Sequence, residues 1–312
     1  MYLNIRGIKS KISSLRNIID EVRPTIICIT ECHLIDTEEL KIDGYAIGRN
    51  DRTKDGGGIL IGVDERLEDV TVVVEKKKEI EESLWVVIDN TKIAIRLGII
   101  YAPQESRTTS DEYVKMYESI EEQILYAKQK QQKLLMVGDF NCKIGERIAG
   151  NSKEVSKSGK NFLGMTKSNK LQIVNQSEKC SGLWTREEGN VKSVLDYIII
   201  DEEDENALIE MKIDEQKDYA PRRDDDQVTT SDHNTMIAKF DWFIDEERKP
   251  EKKKRVITSK GYSRIKEEIN NRKISRIWRK DEPLEDLYCE WKEEINDIVE
   301  KNSIEVKYSF LG

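Results

Sequence analysis

Histidine is nearly absent from this sequence: His33 and His233 are the only two in 312 residues. A metal centre built on several imidazoles is thereby excluded, and any bound cation must rely on carboxylate and amide oxygens. Such ligands suit Mg²⁺, Mn²⁺ or Ca²⁺. Cysteine is sparse too. The five present (Cys28, Cys32, Cys142, Cys180 and Cys289) are odd in number and scattered, so neither a disulfide framework nor a CxxC zinc site is expected. No run approaches the roughly 20 apolar residues that a membrane span needs. Met1 to Ile8 lacks the charged and then apolar regions of a secretory signal. The expected compartment is cytosolic or nuclear, with no membrane partner.

What the chain does have is charge: 36% of its residues, with a net balance of −9. That balance argues mildly against a sequence-independent nucleic-acid binder, whose affinity comes from a basic face. A metal site built from acids gives the same overall sign while leaving a local basic rim to hold phosphates, so composition leaves the substrate open. The length accommodates one large α/β domain and an appendage.

The apolar pattern opens with a short strand at Leu3 to Gly7. Ile8, Ile12, Leu15, Ile18, Ile19 and Val22 then recur at helical spacing up to Pro24, and Ile26 to Ile29 form a buried strand ending at Thr30–Glu31. Strand, helix, buried strand is the first unit of a layered α/β domain. Strands are expected at Ile59 to Val63, Val70 to Val74, Leu84 to Ile88 and Ile93 to Tyr101. A helix through Tyr113, Tyr117, Ile120, Ile124 and Ala127 leads to a strand at Leu134 to Val137. A third helix around Phe162 to Met165 follows, then strands at Leu171 to Val174, Val194 to Ile200 and Ile237 to Phe243. Gly56 to Gly58 read as a close-packed strand start, because no helix follows them as a phosphate-cradling loop requires. Residues 202–230 read as a solvated excursion. The domain is expected to span 1–243, and 244–312 a charged linker (with the basic cluster Arg248 to Arg255) followed by an amphipathic helix through Leu284, Leu287, Tyr288, Trp291, Ile295 and Ile298.

Polar residues terminate several of the buried strands: Asn4, Glu31, Tyr101, Asp139 with Asn141, Asp196, and Asp232 with His233. Strand ends are where side chains converge on a ligand in α/β sheets. Carboxylates, amides, one imidazole and one phenol, with no Ser or Cys nucleophile among them, fit metal-assisted phosphoester hydrolysis. The plain alternatives are turn formers at Asp139 and Asn141 and a packed aromatic at Tyr101.

The wording of these segments resembles the endonuclease/exonuclease/phosphatase (DNase I-like) superfamily. The matching stretches are Leu-Asn-Ile-Arg-Gly at 3–7, Ile-Thr-Glu-Cys-His at 29–33, Gly-Gly-Gly-Ile at 56–59 and Tyr-Ala-Pro at 101–103. Val-Gly-Asp-Phe-Asn at 137–141, Leu-Asp-Tyr-Ile at 195–198 and Ser-Asp-His-Asn at 231–234 complete the set. The resemblance implies a four-layered α/β sandwich, two packed sheets flanked by helices, with a C-terminal helical appendage. It implies Glu31 as the principal metal ligand, helped by Asn4, with Asp232 supporting the metal from its outer side. It casts Asp139 as the residue that orients or deprotonates the attacking water, and Asn141 as a donor to phosphate oxygens. His233 resembles the family's catalytic histidine with Asp196 as its partner, and Tyr101 a contact to the scissile phosphate. The cofactor implied is Mg²⁺, with Mn²⁺ as a substitute. His33 is left outside the site.

Arg6 departs from the pattern, standing where many members carry Asp or Asn, which points to a cation facing phosphate rather than a second metal ligand. The chain also opens at the first motif, where members carry several more strand residues, as a fragment or mis-started gene product would. DNA, phosphoinositides and small phosphoesters all suit the chemistry. The segments at 138–145 and 193–199 look most like endonuclease domains of non-LTR retrotransposons, which implies DNA as substrate and a downstream reverse transcriptase domain, or its RNA, as partner. A phosphatase of the same superfamily and an inactive relic are the alternatives.

Overall fold

The computed structural model describes residues 1–243 except 53–55, 68–81, 90–92, 146–153 and 230, and beyond them 253–256, 264, 267–269, 271, 292–299, 301 and 304–307. The contact pattern divides the chain into two compact units, Met1–Phe243 and Ile244–Gly312.

In the first unit the order is β1 (Tyr2–Asn4), α1 (Ile12–Val22), β2 (Ile26–Thr30), β3 (Tyr45–Asn50), β4 (Ile59–Asp64), β5 (Glu82–Asp89) and β6 (Ala94–Tyr101). It continues with α2 (Ser110–Gln129), β7 (Lys133–Asp139), α3 (Lys157–Ser168), β8 (Leu171–Ile173), β9 (Cys180–Ser181), β10 (Arg186–Glu188) and β11 (Val191–Ser193). β12 (Asp196–Asp201), β13 (Leu208–Ile213) and β14 (Met236–Phe240) complete it. Seven strands form one sheet in the order β3-β4-β2-β1-β14-β13-β9, five form a second in the order β5-β6-β7-β12-β8, and β10 and β11 pair as a separate ribbon.

The two-residue side-chain period explains how these strands serve two layers at once. Cys28, Ile59, Ile61 and Val63 from the first sheet meet Leu97, Ile99, Val137 and Ile198 from the second in one core between the sheets. The alternate residues Ile27, Ile29 and Leu60 face outward onto Leu15 and Ile19 of α1. On the far side, Leu134, Met136, Tyr197 and Ile199 pack under Ile120 and Ile124 of α2 and Phe162 of α3. Helix, sheet, sheet, helices is the four-layered DNase I-like sandwich. α2 begins with a capping box between Thr109 and Glu112, and α1 ends where Arg23 turns left-handed before Pro24.

Several expectations need correction. The 202–230 segment is not simply a solvated excursion: Leu208–Ile213 form β13, inside the seven-stranded sheet. The strand escaped notice because only Leu208, Met211 and Ile213 are buried, and a register shift near Glu210 breaks the alternation. β3 and the β10–β11 ribbon were likewise unforeseen. The first helix proper starts at Ile12, after a 3-10 turn at Lys9–Lys11. The strand expected at Val70 to Val74 lies outside the described residues. The Gly56 to Gly58 segment does pack closely: the Gly57 and Gly58 carbonyls accept from the backbones of His33 and Cys32 at 3.0 Å.

In the second unit, Lys253–Val256 and Ile304–Lys307 pair antiparallel, an element the charged sequence did not announce. Residues 292–299 are helical, and Ile298 is buried against Ile269, Ile295 and Val299. Leu284, Leu287, Tyr288, Trp291 and most of the Arg248 to Arg255 cluster lie outside the described residues.

Candidate active site

Strand register assembles the site. Tyr101 ends β6, Asp139 ends β7 and Asp196 opens β12, and pairing sets Tyr101 opposite Asp139 and Asp139 opposite Asp196. In the other sheet Asn4 ends β1 opposite Thr30, the last residue of β2, and Glu31 follows at once. His233 lies three residues before Met236, which pairs with Tyr2. Both sheets therefore deliver their polar strand ends to one edge of the sandwich.

The contacts across that edge are direct. The Asn4 Nδ2 group lies 3.3 Å from both Glu31 Oε1 and Asp139 Oδ2. The Tyr101 hydroxyl donates to Glu31 Oε1 at 2.8 Å. His233 Nδ1 is 2.8 Å from Asp196 Oδ2, and its Nε2 faces Asp139 Oδ2 at 3.8 Å. Asp139 Oδ1 accepts from the backbone of Asn141 at 2.9 Å, while the Asn141 side-chain amide donates to the Ala102 carbonyl at 2.7 Å. Seven of the eight expected residues thus gather. Asp232 stands apart, its carboxylate taking a 2.7 Å bond from Arg186 Nε.

The backbone at this edge is strained. Arg6, Glu31, His33 and Asn141 have φ of 49°, 55°, 53° and 45°, a left-handed conformation that costs a side-chain-bearing residue roughly 1–2 kcal/mol. Such strain persists only where the surroundings over-determine it, and it concentrates at functional sites.

Charge is equally concentrated. Burial, and then the neighbouring Asp196 carboxylate, push the Asp139 carboxyl up to about 7. Burial alone would lower the His233 imidazole, but the Asp196 charge and hydrogen bond outweigh it and raise the group to about 9. His233 is therefore an imidazolium at neutral pH. Burial pushes Asp232 upward, yet His233 and Arg186 hold it below the usual carboxylate range.

Sequence reading missed the residues that brace this arrangement. The Tyr2 hydroxyl donates to Asp196 Oδ1 at 2.8 Å. The Thr185 hydroxyl accepts from the backbones of Leu195 and Asp196 at 3.0 and 3.1 Å, and Asn175 bonds the backbone of β12 through Asp196 and Ile198. Lys217 Nζ donates to the His233 carbonyl at 2.8 Å. Only Tyr2 left a trace, two residues before Asn4 in the same strand. His33, left out earlier, has its Nε2 3.6 Å from Glu31 Oε2. Arg49 is tied into its own loop by Asp51 at 3.0 Å.

The donor chemistry fits a hard cation. Asp139 and Asp196 present carboxylate oxygens within 4.8 Å of one another, and Glu31 adds a third carboxylate across Asn4. The charged His233 imidazole beside them is not a ligand. The Asn4 amide nitrogen bridges two carboxylates, putting partial positive charge where a cation would be drawn. A half-turn of that amide presents its oxygen instead.

The model of the Endonuclease/Exonuclease/phosphatase family matches residues 1–233. The chain belongs to that family. Its members are hydrolases acting on phosphoester bonds and are generally dependent on divalent metals. None of the curated proteins matches the sequence. Among solved structures, the chain resembles the 3′ phosphatase NExo from Neisseria bound to a product DNA hairpin, at TM-score 0.59 and 14% identity, covering 77% of this chain and 98% of that one. An AP endonuclease from Archaeoglobus fulgidus matches at TM-score 0.58 and 16% identity, with coverage of 77% and 98%. The endonuclease domain of TRAS1, a telomere-specific non-LTR retrotransposon, matches at TM-score 0.54 and 20% identity, with coverage of 77% and 95%. At these identities the likeness speaks for the fold. Among the described residues, no helix is long and apolar enough to cross a membrane.

Proposed function

We propose that the protein is a Mg²⁺-dependent DNA endonuclease that nicks one strand, and that it serves as the endonuclease part of a non-LTR retrotransposon protein. The observation that carries the chemistry is the buried Asp139–Asp196–His233 cluster, its oxygen and nitrogen atoms within 4.8 Å of one another, facing Glu31 across Asn4. The choice of DNA draws on the DNA hairpin bound by NExo and on the TRAS1 endonuclease domain.

In this reading Glu31 and Asn4 hold the dication. When bound, the metal neutralises phosphate charge and polarises the phosphorus centre. Asp139, fixed through Oδ1 by the Asn141 backbone, takes the proton of the attacking water. Its pKa near 7 suits a general base at neutral pH. Water attacks phosphorus, the bond from phosphorus to the 3′ oxygen breaks, the departing oxygen takes a proton from solvent, and the products are a 5′-phosphate and a 3′-hydroxyl. The His233 imidazolium, held by Asp196, lends positive charge to the phosphate oxygens as negative charge builds, the kind of preorganised stabilisation that dominates such reactions. Tyr101 fixes Glu31 from the side, and Asn141 adds a donor for the phosphate. A 3′-hydroxyl is a primer end that a reverse transcriptase extends.

The test is nicking of supercoiled plasmid in Mg²⁺, in Mn²⁺ and in EDTA, with the nick offered to a polymerase. Metal-dependent nicks with extendable 3′ ends are expected. Cutting that persists in EDTA, or turnover of soluble inositol phosphates with none of DNA, contradicts the proposal.

A further inference from the structure

Two loops lie side by side at the active edge, residues 5–8 after β1 and residues 31–34 after β2. Backbone bonds zip them together: Ile5 donates to the Thr30 carbonyl at 3.0 Å, Gly7 to Glu31 at 2.8 Å and Ile8 to Cys32 at 3.1 Å. Gly57 and Gly58 hold the second loop from its other side. Arg6 sits in the first loop with φ of 49°, a conformation for which glycine or asparagine is the usual choice. An arginine kept there has to be maintained by its surroundings.

The surroundings include Lys11. It is only 1% exposed, and its ammonium donates to the Ile5 carbonyl and, at 2.9 Å, to the Arg6 carbonyl. An ammonium is costly to bury unless its donors are satisfied, and here they are spent on the loop that carries Arg6. The Arg6 side chain is exposed and makes no hydrogen bond or ion pair among the described residues. Its charge is nonetheless felt nearby: burial first, and then Arg6, draw the Lys11 ammonium down to about 8. A guanidinium two residues from Asn4, on a loop bonded to Glu31, presents bidentate donors suited to a phosphodiester.

We infer that Arg6 is a substrate-binding residue that grips a backbone phosphate of the DNA strand beside Glu31, presented by a strained loop that the buried Lys11 ammonium holds in place. This rests on the reading of the site as a DNA phosphodiesterase. Arg6 is a binding residue, because it meets the substrate; Lys11 is a positioning residue, because it acts through Arg6. The contact forms equally in ground and transition states, so its loss raises KM and spares kcat.

The experiment compares wild type with Arg6→Gly, Arg6→Lys and Lys239→Ala, the last at the end of β14 away from His233. Arg6→Gly removes the side chain and the backbone strain together, so the variant folds. Binding to a duplex is followed by fluorescence anisotropy in EDTA across a salt series, and nicking in Mg²⁺ gives KM and kcat. Arg6→Gly is expected to flatten the slope of log affinity against log salt by about 1, as loss of one phosphate contact does. It should raise KM about tenfold and leave kcat within about threefold, the size of a lost charge-assisted hydrogen bond. Arg6→Lys should keep the slope, and Lys239→Ala should match wild type. Lys11→Met should flatten the slope alone but add nothing in the Arg6→Gly background, because it acts through the same contact. An Arg6→Gly protein with the wild-type slope and KM overturns the inference while leaving the endonuclease proposal intact. Wild type that binds DNA in a salt-dependent way yet never nicks it sinks that proposal, and the slope comparison still decides on Arg6. Wild type that does not bind DNA at all sinks both.

Discussion

Asp196 is bound on both oxygens: the Tyr2 hydroxyl donates to Oδ1 at 2.8 Å, and His233 Nδ1 lies 2.8 Å from Oδ2. The first strand of the seven-stranded sheet thereby steadies a carboxylate of the five-stranded one, and that carboxylate in turn orients the imidazole just before β14. Burial, and then Asp196, raise the Tyr2 hydroxyl well above its ordinary value, so it remains a donor at any working pH.

Tyr2→Phe leaves Asp196 Oδ1 buried without that donor. A buried acceptor stripped of its partner costs about 1–3 kcal/mol, so urea denaturation should show a loss in that range. Nicking should slow by several-fold, because the imidazole loses part of its alignment. Unchanged stability and unchanged rate together would mean that Tyr2 is a spectator.

Asp196→Asn removes the charge that sustains the His233 imidazolium. The imidazole, at about 9 in the wild type, should fall toward its ordinary range, because burial is then opposed only by the weaker pull of Asp139 and Asp232. Histidine ring resonances followed by NMR across pH 5–10 read this directly, with only His33 and His233 to assign. A variant still titrating near 9 refutes the pairing.

Stability of the metal-free protein should fall as pH rises. His233 is raised from 6.5 to about 9, so its contribution is complete below 6.5 and is lost as pH climbs through 9. Asp139 is raised from 3.8 to about 7, so the folded state keeps a proton between those values that the unfolded chain has released. Both slopes carry the same sign. Denaturation midpoints in EDTA should drop from pH 5 to 9, by less in His233→Gln. Equal drops in the two proteins would deny His233 its share.

Gly138 stands immediately before Asp139 with φ of 156°, and a Cβ there would sit 1.8 Å from the Ile100 carbonyl oxygen. β6 and β7 cannot pair around that atom without shifting the row that holds Tyr101 and Asp139. Gly138→Ala should cost more than about 3 kcal/mol and abolish nicking. Wild-type melting temperature in this variant would show that the close approach is not needed.

Much of the site was legible because its residues interrupt apolar strands: Glu31 after Ile26 to Thr30, Asp139 after Leu134 to Gly138. A layered α/β domain was legible for the same reason, since strand, helix and buried strand alternate, whereas the four-layered sandwich rested on the resemblance of the motifs. What stayed hidden depends on tertiary neighbours. Thr185 and Lys217 brace β12 and the His233 loop from segments with no periodicity of their own, and Lys11 reads as one more surface lysine until its carbonyl partners are seen. β13 was hidden because one buried face and a bulge leave too few apolar residues in step.

The central claim is that His233, charged through Asp196, stabilises a phosphodiester under attack by water prepared at Asp139. The direct measurement is the single-turnover nicking rate of His233→Ala on supercoiled plasmid in saturating Mg²⁺, beside wild type. A fall of roughly 10² to 10³ with DNA binding intact is expected, the loss that follows removal of one positioned electrostatic stabiliser. A rate within a few-fold of wild type contradicts the account.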